Sequence, residues 1–299
     1  MTVPPHRTSP ELDSVTKAAV LLEALPYIQR FKNACFVIKY GGSFIEHPNP
    51  KVCERVAYDI VLLAAVGIRI VIVHGGGKAI TRAFKNTTPQ FIDGLRVTDE
   101  ATMAIVEKTL NLEVNPKICS MIQSSGGQPI SLHGNRLFRC QKLHHKSTNG
   151  QNRDLGYVGK ITHVDTATLK ELLDSDVIPV VSPIALDDTG TPFNTNADAA
   201  AAAVAAALRA RRLFYLCDVP GLLKDTADPD SLISTLRLSD VEGLKKTCVI
   251  SQGMQPKVDS AVDALRGGVH RVHLIDGQAD HSLLLEIFTD KGIGTEIVH

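Results

Sequence analysis

Two segments of the sequence have the form of a buried strand that ends in an anion-binding turn. Each is a run of apolar residues followed at once by glycines and then by a helical pattern. At such a junction, free backbone N–H groups and the helix dipole favour a phosphate or a carboxylate. Two such turns suggest two anions held face to face, and phosphoryl transfer is the reaction that fits this arrangement. The segments are Phe36-Val37-Ile38-Lys39-Tyr40-Gly41-Gly42-Ser43 and Ile70-Val71-Ile72-Val73-His74-Gly75-Gly76-Gly77.

Three basic side chains are placed to neutralise such anions. Lys39 lies at the end of the first strand, directly before its glycines, and Lys257 follows a glycine- and proline-containing helix start at residues 253–256. Arg96 precedes a predicted helix, and its planar guanidinium suits a carboxylate held by two hydrogen bonds. Taken singly, each has an ordinary alternative: a lysine reaching out from a strand end, a first-turn lysine, or a surface salt bridge.

The segment Asn194-Thr195-Asn196-Ala197-Asp198 opens an alanine-rich stretch that strongly favours helix. Asn196 is placed to cap this helix, while Asn194 and Asp198 project toward a site. Capping explains one of these three polar residues and leaves the other two for function.

The composition narrows the class of protein. The 299 residues suffice for one large α/β domain or two lobes, and 32 Lys plus Arg balance 32 Asp plus Glu. No excess of positive charge favours nucleic acid, and no apolar stretch has the length of a membrane span. Residues 1–14 lack the apolar core of a secretory signal, so a cytoplasmic protein is expected.

The cysteines and histidines, which usually form metal or redox sites, lack the spacing that is typical of such sites. The six cysteines include no C-x-x-C pair, and several lie in apolar runs, which favours buried free thiols. The 11 histidines show no metal-ligand spacing, so no metal site is expected in the protein itself. Neither a P-loop, G-x-x-x-x-G-K-S/T, nor a G-x-G-x-x-G after a strand occurs in the sequence.

Strands and helices alternate along most of the chain, which predicts an α/β protein with a mainly parallel sheet covered on both faces. Residues 146–154 are polar and predict a mobile excursion, and a lobe boundary is expected near residues 187–190. Expected strands are residues 36–40, 68–74, 128–132, 136–142, 157–163, 177–181, 213–217, 270–275 and a short one near Glu296. Expected helices are residues 15–31 (with a kink at Pro26), 51–65, 78–85, 100–123, 166–173, 197–210, 239–246, 255–266 and 280–288.

With these features together, the sequence resembles the acetylglutamate kinases of the amino acid kinase family, from about residue 34 to 299. Gln255, where a hydrophobic residue is more usual, and the His- and Asn-rich loop 143–153 depart from the family pattern. The resemblance is carried by Lys39-Tyr40-Gly41-Gly42, His74-Gly75-Gly76-Gly77, Gly94-Leu95-Arg96-Val97-Thr98, Asp154-Leu155-Gly156-Tyr157-Val158-Gly159, Asn194-Thr195-Asn196-Ala197-Asp198, Asp218-Val219-Pro220-Gly221, Gly253-Met254-Gln255-Pro256-Lys257, Glu286-Ile287-Phe288-Thr289 and Gly292-Ile293-Gly294-Thr295.

The resemblance implies a three-layer αβα sandwich around one continuous, mainly parallel sheet. It implies an N-terminal helix extension (1–33), an N-acetylglutamate-binding lobe (34–186) and a nucleotide-binding lobe (187–299). It further implies phosphorylation of the γ-carboxylate of N-acetyl-L-glutamate by ATP, with Mg²⁺ held mainly by the nucleotide, as the second step of arginine biosynthesis. This attack needs no general base, because the γ-carboxylate is already ionised at neutral pH.

The same resemblance implies roles for individual residues. Lys39 and Lys257 would stabilise charge on the transferring phosphoryl group, and Asp198 would organise both lysines. Arg96 would hold the α-carboxylate of the substrate. The residues implied to bind N-acetylglutamate are Gly76, Gly77, Arg96 and Asn194, and those implied at the phosphate and nucleotide are Gly41, Gly42, Asp218 and Gly221.

The predicted helix ahead of Phe36 resembles the N-terminal extension of arginine-inhibited, hexameric members of the family. By that resemblance His273, Glu286 and Gly292 match an arginine site, with Glu286 on the effector guanidinium. A homo-oligomer, dimer or hexamer, is expected, and deleting residues 1–32 should abolish hexamers and weaken arginine inhibition. Binding of a PII-type regulator cannot be inferred from the sequence.

Other interpretations stay open at this stage. A family member that acts on glutamate, aspartate, carbamate or a nucleoside monophosphate would share the sheet and both glycine turns. A non-catalytic sensor of arginine or N-acetylglutamate is expected to lack Lys39, Asp198 or Lys257, and all three are present. A dehydrogenase fits least, because the dinucleotide fingerprint is missing.

Overall fold

The computed structural model describes residues 13–84, 90–92, 94–146, 152–250 and 253–299. The expectations for residues 1–12, for the end of the 78–85 helix and for the centre of the 143–153 loop lie outside these described residues. The helices are α1 (Ser14–Phe31), α2 (Gly42–Ile45), α3 (Pro50–Ala65), α4 (Gly77–Ala83), α5 (Glu100–Lys108), α6 (Asn115–Ser124), α7 (Ala167–Asp174), α8 (Ala197–Ala207), α9 (Val241–Lys246), α10 (Gln255–Arg266) and α11 (Ser282–Ile287). The strands are β1 (Cys35–Tyr40), β2 (Arg69–His74), β3 (Phe91–Ile92), β4 (Leu95–Arg96), β5 (Pro129–Leu132), β6 (Phe138–Lys142), β7 (His145–Lys146), β8 (Asn152–Arg153), β9 (Val158–Val164), β10 (Ile178–Val181), β11 (Ile184–Leu186), β12 (Pro192–Thr195), β13 (Arg212–Cys217), β14 (Thr235–Arg237), β15 (Val272–Asp276) and β16 (Thr295–Val298).

The large sheet has eight strands in the order β14-β16-β15-β13-β1-β2-β10-β5. Neighbours from β15 to β5 are parallel, β16 is antiparallel to β15, and β14 is parallel to β16. The unbroken apolar sequence of β1 suits a strand covered on both faces, and Phe36, Val37 and Ile38 are fully buried. The predicted mainly parallel sheet is therefore confirmed.

Side chains of the central strands alternate between two helical layers, because successive residues of a strand point to opposite faces. Val37 packs with residues of α8 and α10, whereas Ile38 packs with residues of α3, α6 and α11. By the same alternation Lys39 lies on the α8 face of the sheet, and His74 lies on the α6 face. The predicted three-layer sandwich is confirmed.

The alanine-rich helix α8 lies very close to its neighbours because its side chains are small. Ala200 and Ala201 are fully buried, and a Cβ added to Gly267, just after α10, would stand 2.5 Å from the Cβ of Ala206. The helix ends at Ala207, before the predicted end at residue 210, because the backbone turns at Arg209, where φ is 48°. This dense packing fixes the start of α8 against the sheet.

The helix predicted over residues 100–123 is divided by a π-helical segment, Thr109–Val114, between α5 and α6. A π-turn accommodates one more residue than an α-turn, so it rotates the side chains that follow it around the helix axis. Leu110, Asn111 and Asn115 are all buried here. Two asparagines are thereby turned into the core beneath the second glycine turn.

Strands β6, β9, β11 and β12 form a small closed barrel, and the chain passes from β12 directly into α8. Residues 187–191, near which a lobe boundary was expected, are the hairpin turn between β11 and β12. Both flanking strands belong to one barrel, and the division of the chain at residue 187 remains a prediction. The strand expected from residue 136 begins only at Phe138, because Gly134–Arg136 form a 3₁₀ turn.

The polar stretch predicted as an excursion begins and ends in a two-stranded ribbon, in which β7 pairs antiparallel with β8. The residues between these strands, 147–151, lie outside the described part of the chain.

The predicted N-terminal helix is present as α1, which runs through Pro26. Asp13 caps it by accepting hydrogen bonds from the backbone N–H groups of Val15 and Thr16. Its last residue, Phe31, belongs to the core, whereas several apolar residues on the preceding turns are 42–78% exposed. These exposed residues are Val15, Val20, Leu21, Leu22 and Leu25. Within the described residues, every helix is too short or too polar to span a bilayer.

Candidate active site

Two lysines from different layers of the fold share one buried carboxylate. Lys39 Nζ, near the end of β1, lies 2.9 Å from Asp198 Oδ1. Lys257 Nζ, in the first turn of α10, donates a hydrogen bond to Asp198 Oδ2 at 2.8 Å. Asp198 is fixed in the first turn of α8 by the Asn196 cap and by the hydroxyl of Tyr215, which donates to the Asp198 carbonyl at 3.1 Å. Three charged groups that are far apart in sequence therefore form one cluster.

The electrostatics of this cluster favour its charged form. Burial by itself raises the pKa of Asp198, but the charges of Lys39 and Lys257 outweigh burial and lower that pKa from 3.8 to about 2. Burial lowers the pKa of Lys257, and Asp198 overrides it, so that this pKa is raised. Because the pKa of Asp198 is lower in the folded protein than the ordinary value of 3.8, ionisation of this carboxyl stabilises the fold. The stabilisation is fully present above pH 3.8 and is lost as the pH falls through about 2.

The two glycine turns lie directly against each other. A Cβ added to Gly42 would stand 3.0 Å from the backbone N of Gly77 and 3.1 Å from the Cα of Gly76. A Cβ added to Gly76 would stand 2.4 Å from Cδ2 of Leu110. A side chain at Gly42 would push the two turns apart, and one at Gly76 would displace Leu110.

A cavity of about 220 Å³ lies between the glycine turns and the start of α8. We call it the lysine cavity. It brings together six of the residues singled out from the sequence, and its wall contains glycine backbone as well as charged side chains. These six residues are Lys39, Gly42, Gly76, Gly77, Asn194 and Asp198.

Arg96 is buried beside this cavity with part of its guanidinium unsatisfied. Its Nη2 donates to the carbonyl of Gly77 at 3.3 Å and to Thr81 Oγ1 at 3.1 Å, while Nη1 has no hydrogen-bond partner among the described residues. The guanidinium carbon lies 4.6 Å from the ring centroid of Phe91. Burial lowers the pKa of Arg96, and a buried guanidinium with a spare donor is a good partner for a carboxylate.

Asn194, at the end of β12, is connected to Arg96 through a residue that was not singled out from the sequence. Its Nδ2 donates to Thr98 Oγ1 at 3.3 Å, and the Thr98 hydroxyl donates to the carbonyl of Arg96 at 3.0 Å. Thr98 is fully buried. The available signal was its place in the segment of residues 94–98, where a small hydroxyl side chain lies two residues after the arginine.

The remaining residues implied at the phosphate and nucleotide do not enter the lysine cavity. Gly41 is buried at the start of α2. Asp218 and Gly221 follow the carboxyl end of β13, the strand beside β1, and Asp218 is exposed. Gly221 has a φ of 151°, and a Cβ there would stand 2.6 Å from Thr295 Oγ1. Ligands of open parallel sheets bind beyond the carboxyl ends of strands, which is where these residues lie.

The three residues matched to an arginine site also meet, at a different place. Glu286 Oε1 lies 2.6 Å from His273 Nδ1, and Glu286 Oε2 accepts from the backbone N–H groups of Ile293 (2.7 Å) and Gly294 (3.0 Å). Gly292 has a φ of 62°, and a Cβ there would stand 2.5 Å from Glu286 Oε2. Burial raises the pKa of Glu286, but His273 and the two amides outweigh it and leave the pKa lowered. Glu286 is thus a preorganised, ionised carboxylate.

These residues border a second cavity, of about 540 Å³, at the amino end of β13. We call it the Glu286 cavity. Arg212 lines it, is 8% exposed, and has a pKa that burial lowers to about 10. The last turns of α1 also line it, and the Tyr27 hydroxyl donates to Asp290 Oδ1 at 2.6 Å. Arg212 was not predicted from the sequence, in which its only signal was an arginine at the start of an apolar strand.

Comparison with known proteins shows similarity over nearly the whole chain. The sequence profile of the amino acid kinase family matches residues 34–276. An acetylglutamate kinase from Heliobacterium modesticaldum is 45% identical over 295 residues, which cover 96% of this chain and 99% of that protein.

The fold is also similar to that of N-acetylglutamate synthase from Neisseria gonorrhoeae, solved as complexes with coenzyme A. The complex that also contains N-acetyl-glutamate has a TM-score of 0.82 and 33% sequence identity, covering 94% of this chain and 63% of that one. The complex that contains L-arginine has a TM-score of 0.77 and 32% identity, covering 94% of this chain and 65% of that one. The chain therefore spans a little under two thirds of the synthase.

Proposed function

The chain belongs to the amino acid kinase family, and from this premise we propose that it transfers the terminal phosphoryl group of ATP to the γ-carboxylate of N-acetyl-L-glutamate. The product is N-acetyl-L-glutamyl 5-phosphate, and the reaction is the second step of arginine biosynthesis. The observation that carries the proposal is the buried cluster of Lys39, Asp198 and Lys257 beside two touching glycine turns. Relatives named acetylglutamate kinase, matched over nearly the whole chain, support it.

The reaction requires two anions to approach each other in line. Lys39 and Lys257 are proposed to neutralise the equatorial oxygens of the transferring phosphoryl group, while Asp198 keeps both ammonium groups in place. The backbone amides of Gly42 and Gly76 add further donors. No general base is needed, because the attacking γ-carboxylate is ionised at neutral pH. Positioning and charge neutralisation then supply the catalysis.

Arg96 and Asn194 are proposed to orient the acceptor. The unpartnered Nη1 of Arg96 is suited to the α-carboxylate of N-acetylglutamate, and the amide of Asn194 can bond to the acetylated amine. Asp218 and Gly221 are proposed to lie near the nucleotide.

Among the described residues, no three His, Cys, Asp or Glu side chains are grouped to hold a metal. Mg²⁺ is proposed to come bound to the phosphates of ATP, and the enzyme is proposed to act in the cytoplasm.

The experiment that tests this function is ADP release by the purified protein with ATP and each of four acceptors. Turnover is expected with N-acetyl-L-glutamate and not with glutamate, aspartate or carbamate. Turnover with another acceptor would move the substrate assignment within the family. No turnover with any of them would favour the non-catalytic sensor.

The Glu286 cavity is proposed to bind arginine as an inhibitor. Glu286 offers an ionised carboxylate to a guanidinium, and Arg212 offers a cation to a carboxylate in the same cavity. The gonococcal synthase, 32% identical, has been solved with L-arginine, which supports the proposal. Because the cavity lies at the opposite end of β1 from Lys39, arginine would act on the sheet and not compete with substrate.

Glu286→Gln is expected to raise the arginine concentration for half-inhibition roughly 10- to 100-fold, because a charge-assisted contact is lost. Uninhibited kcat should stay within about twofold. Citrulline, a neutral analogue of arginine, should inhibit the parent protein far less than arginine does, and the variant should discriminate little between the two. Glu242→Gln, at an exposed ion pair with Lys245, is the control. Unchanged arginine inhibition in Glu286→Gln would remove Glu286 from the site.

The exposed apolar residues of α1 are proposed to pair with α1 of other copies in a hexamer. Because Phe31 is part of the core, deleting residues 1–32 would also damage the fold, and surface substitutions test the idea more cleanly. Leu22→Lys combined with Leu25→Lys, three residues apart on one helix face, should convert hexamers to dimers in light scattering. Leu62→Lys, at an exposed leucine of α3, is the control. A double variant that keeps the mass of the parent would contradict the proposed pairing.

A further inference from the structure

His74 lies beneath the second glycine turn and has no role in the function proposed so far. It is fully buried and does not line the lysine cavity, whereas Gly75, Gly76 and Gly77 do. Its ring nitrogens have two different partners. Nδ1 lies 3.0 Å from the carbonyl oxygen of Gly75, and Nε2 lies 3.2 Å from Nδ2 of Asn115.

The protonation of the ring follows from these partners. Asn115 Nδ2 donates to the carbonyl of Val180 at 2.7 Å, and because a carbonyl can only accept, this atom must be the amide nitrogen. The same NH₂ group faces His74 Nε2, which is therefore an acceptor. The ring proton then resides on Nδ1, which donates to the Gly75 carbonyl. Burial lowers the pKa of His74 to about 4, so the ring is neutral at physiological pH.

The π-helical segment explains how Asn115 reaches His74. Asn115 is the first residue of α6, directly after Thr109–Val114, and it is completely buried. Within that segment Leu110 packs where a Cβ of Gly76 would be. This segment of helix therefore contacts the glycine turn in two ways. Leu110 packs directly against Gly76, and Asn115 acts through His74.

Fixing the Gly75 carbonyl has a consequence on the other side of the same peptide. In a planar trans peptide the N–H of the next residue points opposite to the C=O. The Gly75 carbonyl faces the His74 ring, so the N–H of Gly76 points away from that ring, and Gly75 and Gly76 both line the lysine cavity. A run of three glycines has little intrinsic preference for this orientation, and a buried hydrogen bond supplies it.

We propose that His74, held as its Nδ1–H tautomer by Asn115, is a positioning residue that aims the Gly76 amide at the transferring phosphoryl group. The proposal rests on the phosphoryl transfer proposed above. His74 touches neither substrate and acts through Gly75. Its contribution is made to the transition state, so it is expected in kcat more than in KM.

Two substitutions separate this role from simple packing. In His74→Asn the side-chain NH₂ takes the place of Nδ1–H and keeps the bond to Gly75. In His74→Gln the side-chain amide takes the place of Nε2, keeps the contact with Asn115, and leaves the Gly75 carbonyl free. Each variant loses one buried hydrogen bond, so both should lower the melting temperature by similar amounts.

We expect His74→Asn to keep kcat within about threefold of the parent, and His74→Gln to lower it roughly 10- to 100-fold. The KM values for ATP and N-acetylglutamate should change less than about threefold in both. Ser182→Ala is the matched control, because fully buried Ser182 donates to Asn111 Oδ1 at 2.6 Å in the same π-helical segment and has no contact with Gly75. It should lose stability and keep kcat. Equal kcat values for the Asn and Gln variants would overturn the proposal.

A measurement on the unaltered protein keeps the test independent of folding and turnover. With ¹⁵N-labelled histidine, the imidazole of His74 should show its proton on Nδ1 at neutral pH, with the resonance assigned by its absence in a His74 variant. A proton on Nε2 would overturn the positioning role whatever the kinetics show. A protein with the Nδ1–H tautomer but no phosphoryl transfer would overturn the proposed function instead.

Discussion

Lys257→Ala is expected to lower kcat by about 10²- to 10³-fold, the usual effect of removing one donor from a preorganised anion site. The ammonium group acts on charge that develops on the phosphoryl oxygens, so KM for ATP and N-acetylglutamate should change little. Lys39→Ala should behave in the same way, because each lysine holds one oxygen of Asp198. Steady-state ADP release at varied concentrations of both substrates measures the two parameters.

Lys245→Ala is the control for this pair of variants. Lys245 also forms two ion pairs with carboxylates, Glu242 and Asp259, but on the surface and away from the cavity. Surface ion pairs contribute little to stability. Because Lys245 does not line the lysine cavity, kcat should be unchanged. A Lys257 variant with near-normal kcat would remove that lysine from the mechanism.

Arg96→Gln is expected to raise KM for N-acetylglutamate by about 100-fold with KM for ATP nearly unchanged. Arg96 is the buried cation with an unpartnered donor beside Gly77, and losing a charge-assisted hydrogen bond to a carboxylate costs up to about 3 kcal/mol. The measurement is initial rate against N-acetylglutamate concentration at saturating ATP. Arg82→Gln, at an exposed arginine of α4 paired with Glu46, is the matched control.

An altered acceptor identifies which carboxylate Arg96 holds. N-acetylglutamate with its α-carboxylate converted to an amide should be a poor substrate of the parent protein. With Arg96→Gln the same conversion should cost little more, because the two changes remove one interaction. Equal penalties in both proteins would show that Arg96 does not contact the α-carboxylate.

Most of the large sheet could be predicted from the sequence because its central strands are short apolar runs, whereas the short edge strand β14 was not predicted. The runs that form β1 and β2 are apolar on both faces, so both faces must be buried. The glycines that follow mark where each strand ends. The π-helical segment Thr109–Val114 could not be predicted, because one inserted residue hardly changes the helical periodicity over residues 100–123. Its trace in the sequence is the pair Asn111 and Asn115, polar residues one turn apart that are both buried.

The candidate site was predicted residue by residue but not as an arrangement. Lys39 and Lys257 each had an ordinary alternative, and only the fold shows that both reach the carboxylate of Asp198. Thr98 and Arg212 were missed because their importance lies in contacts with distant parts of the chain. The same holds for the link between His74 and Asn115, which are 41 residues apart in the sequence.

The place of β1 at the centre of the sheet gives its lysine a distinctive kinetic property. β1 is hydrogen-bonded to β13 on one side and β2 on the other. Amides in such a strand exchange with solvent only when the whole molecule unfolds, whereas helices of an outer layer can open separately. Lys39 is therefore expected to belong to the slowest-opening unit of the protein, whereas Lys257 lies on α10, in an outer layer. Their shared carboxylate joins the central strand to that layer, and we expect local opening of α10 to displace Lys257 while Lys39 stays fixed.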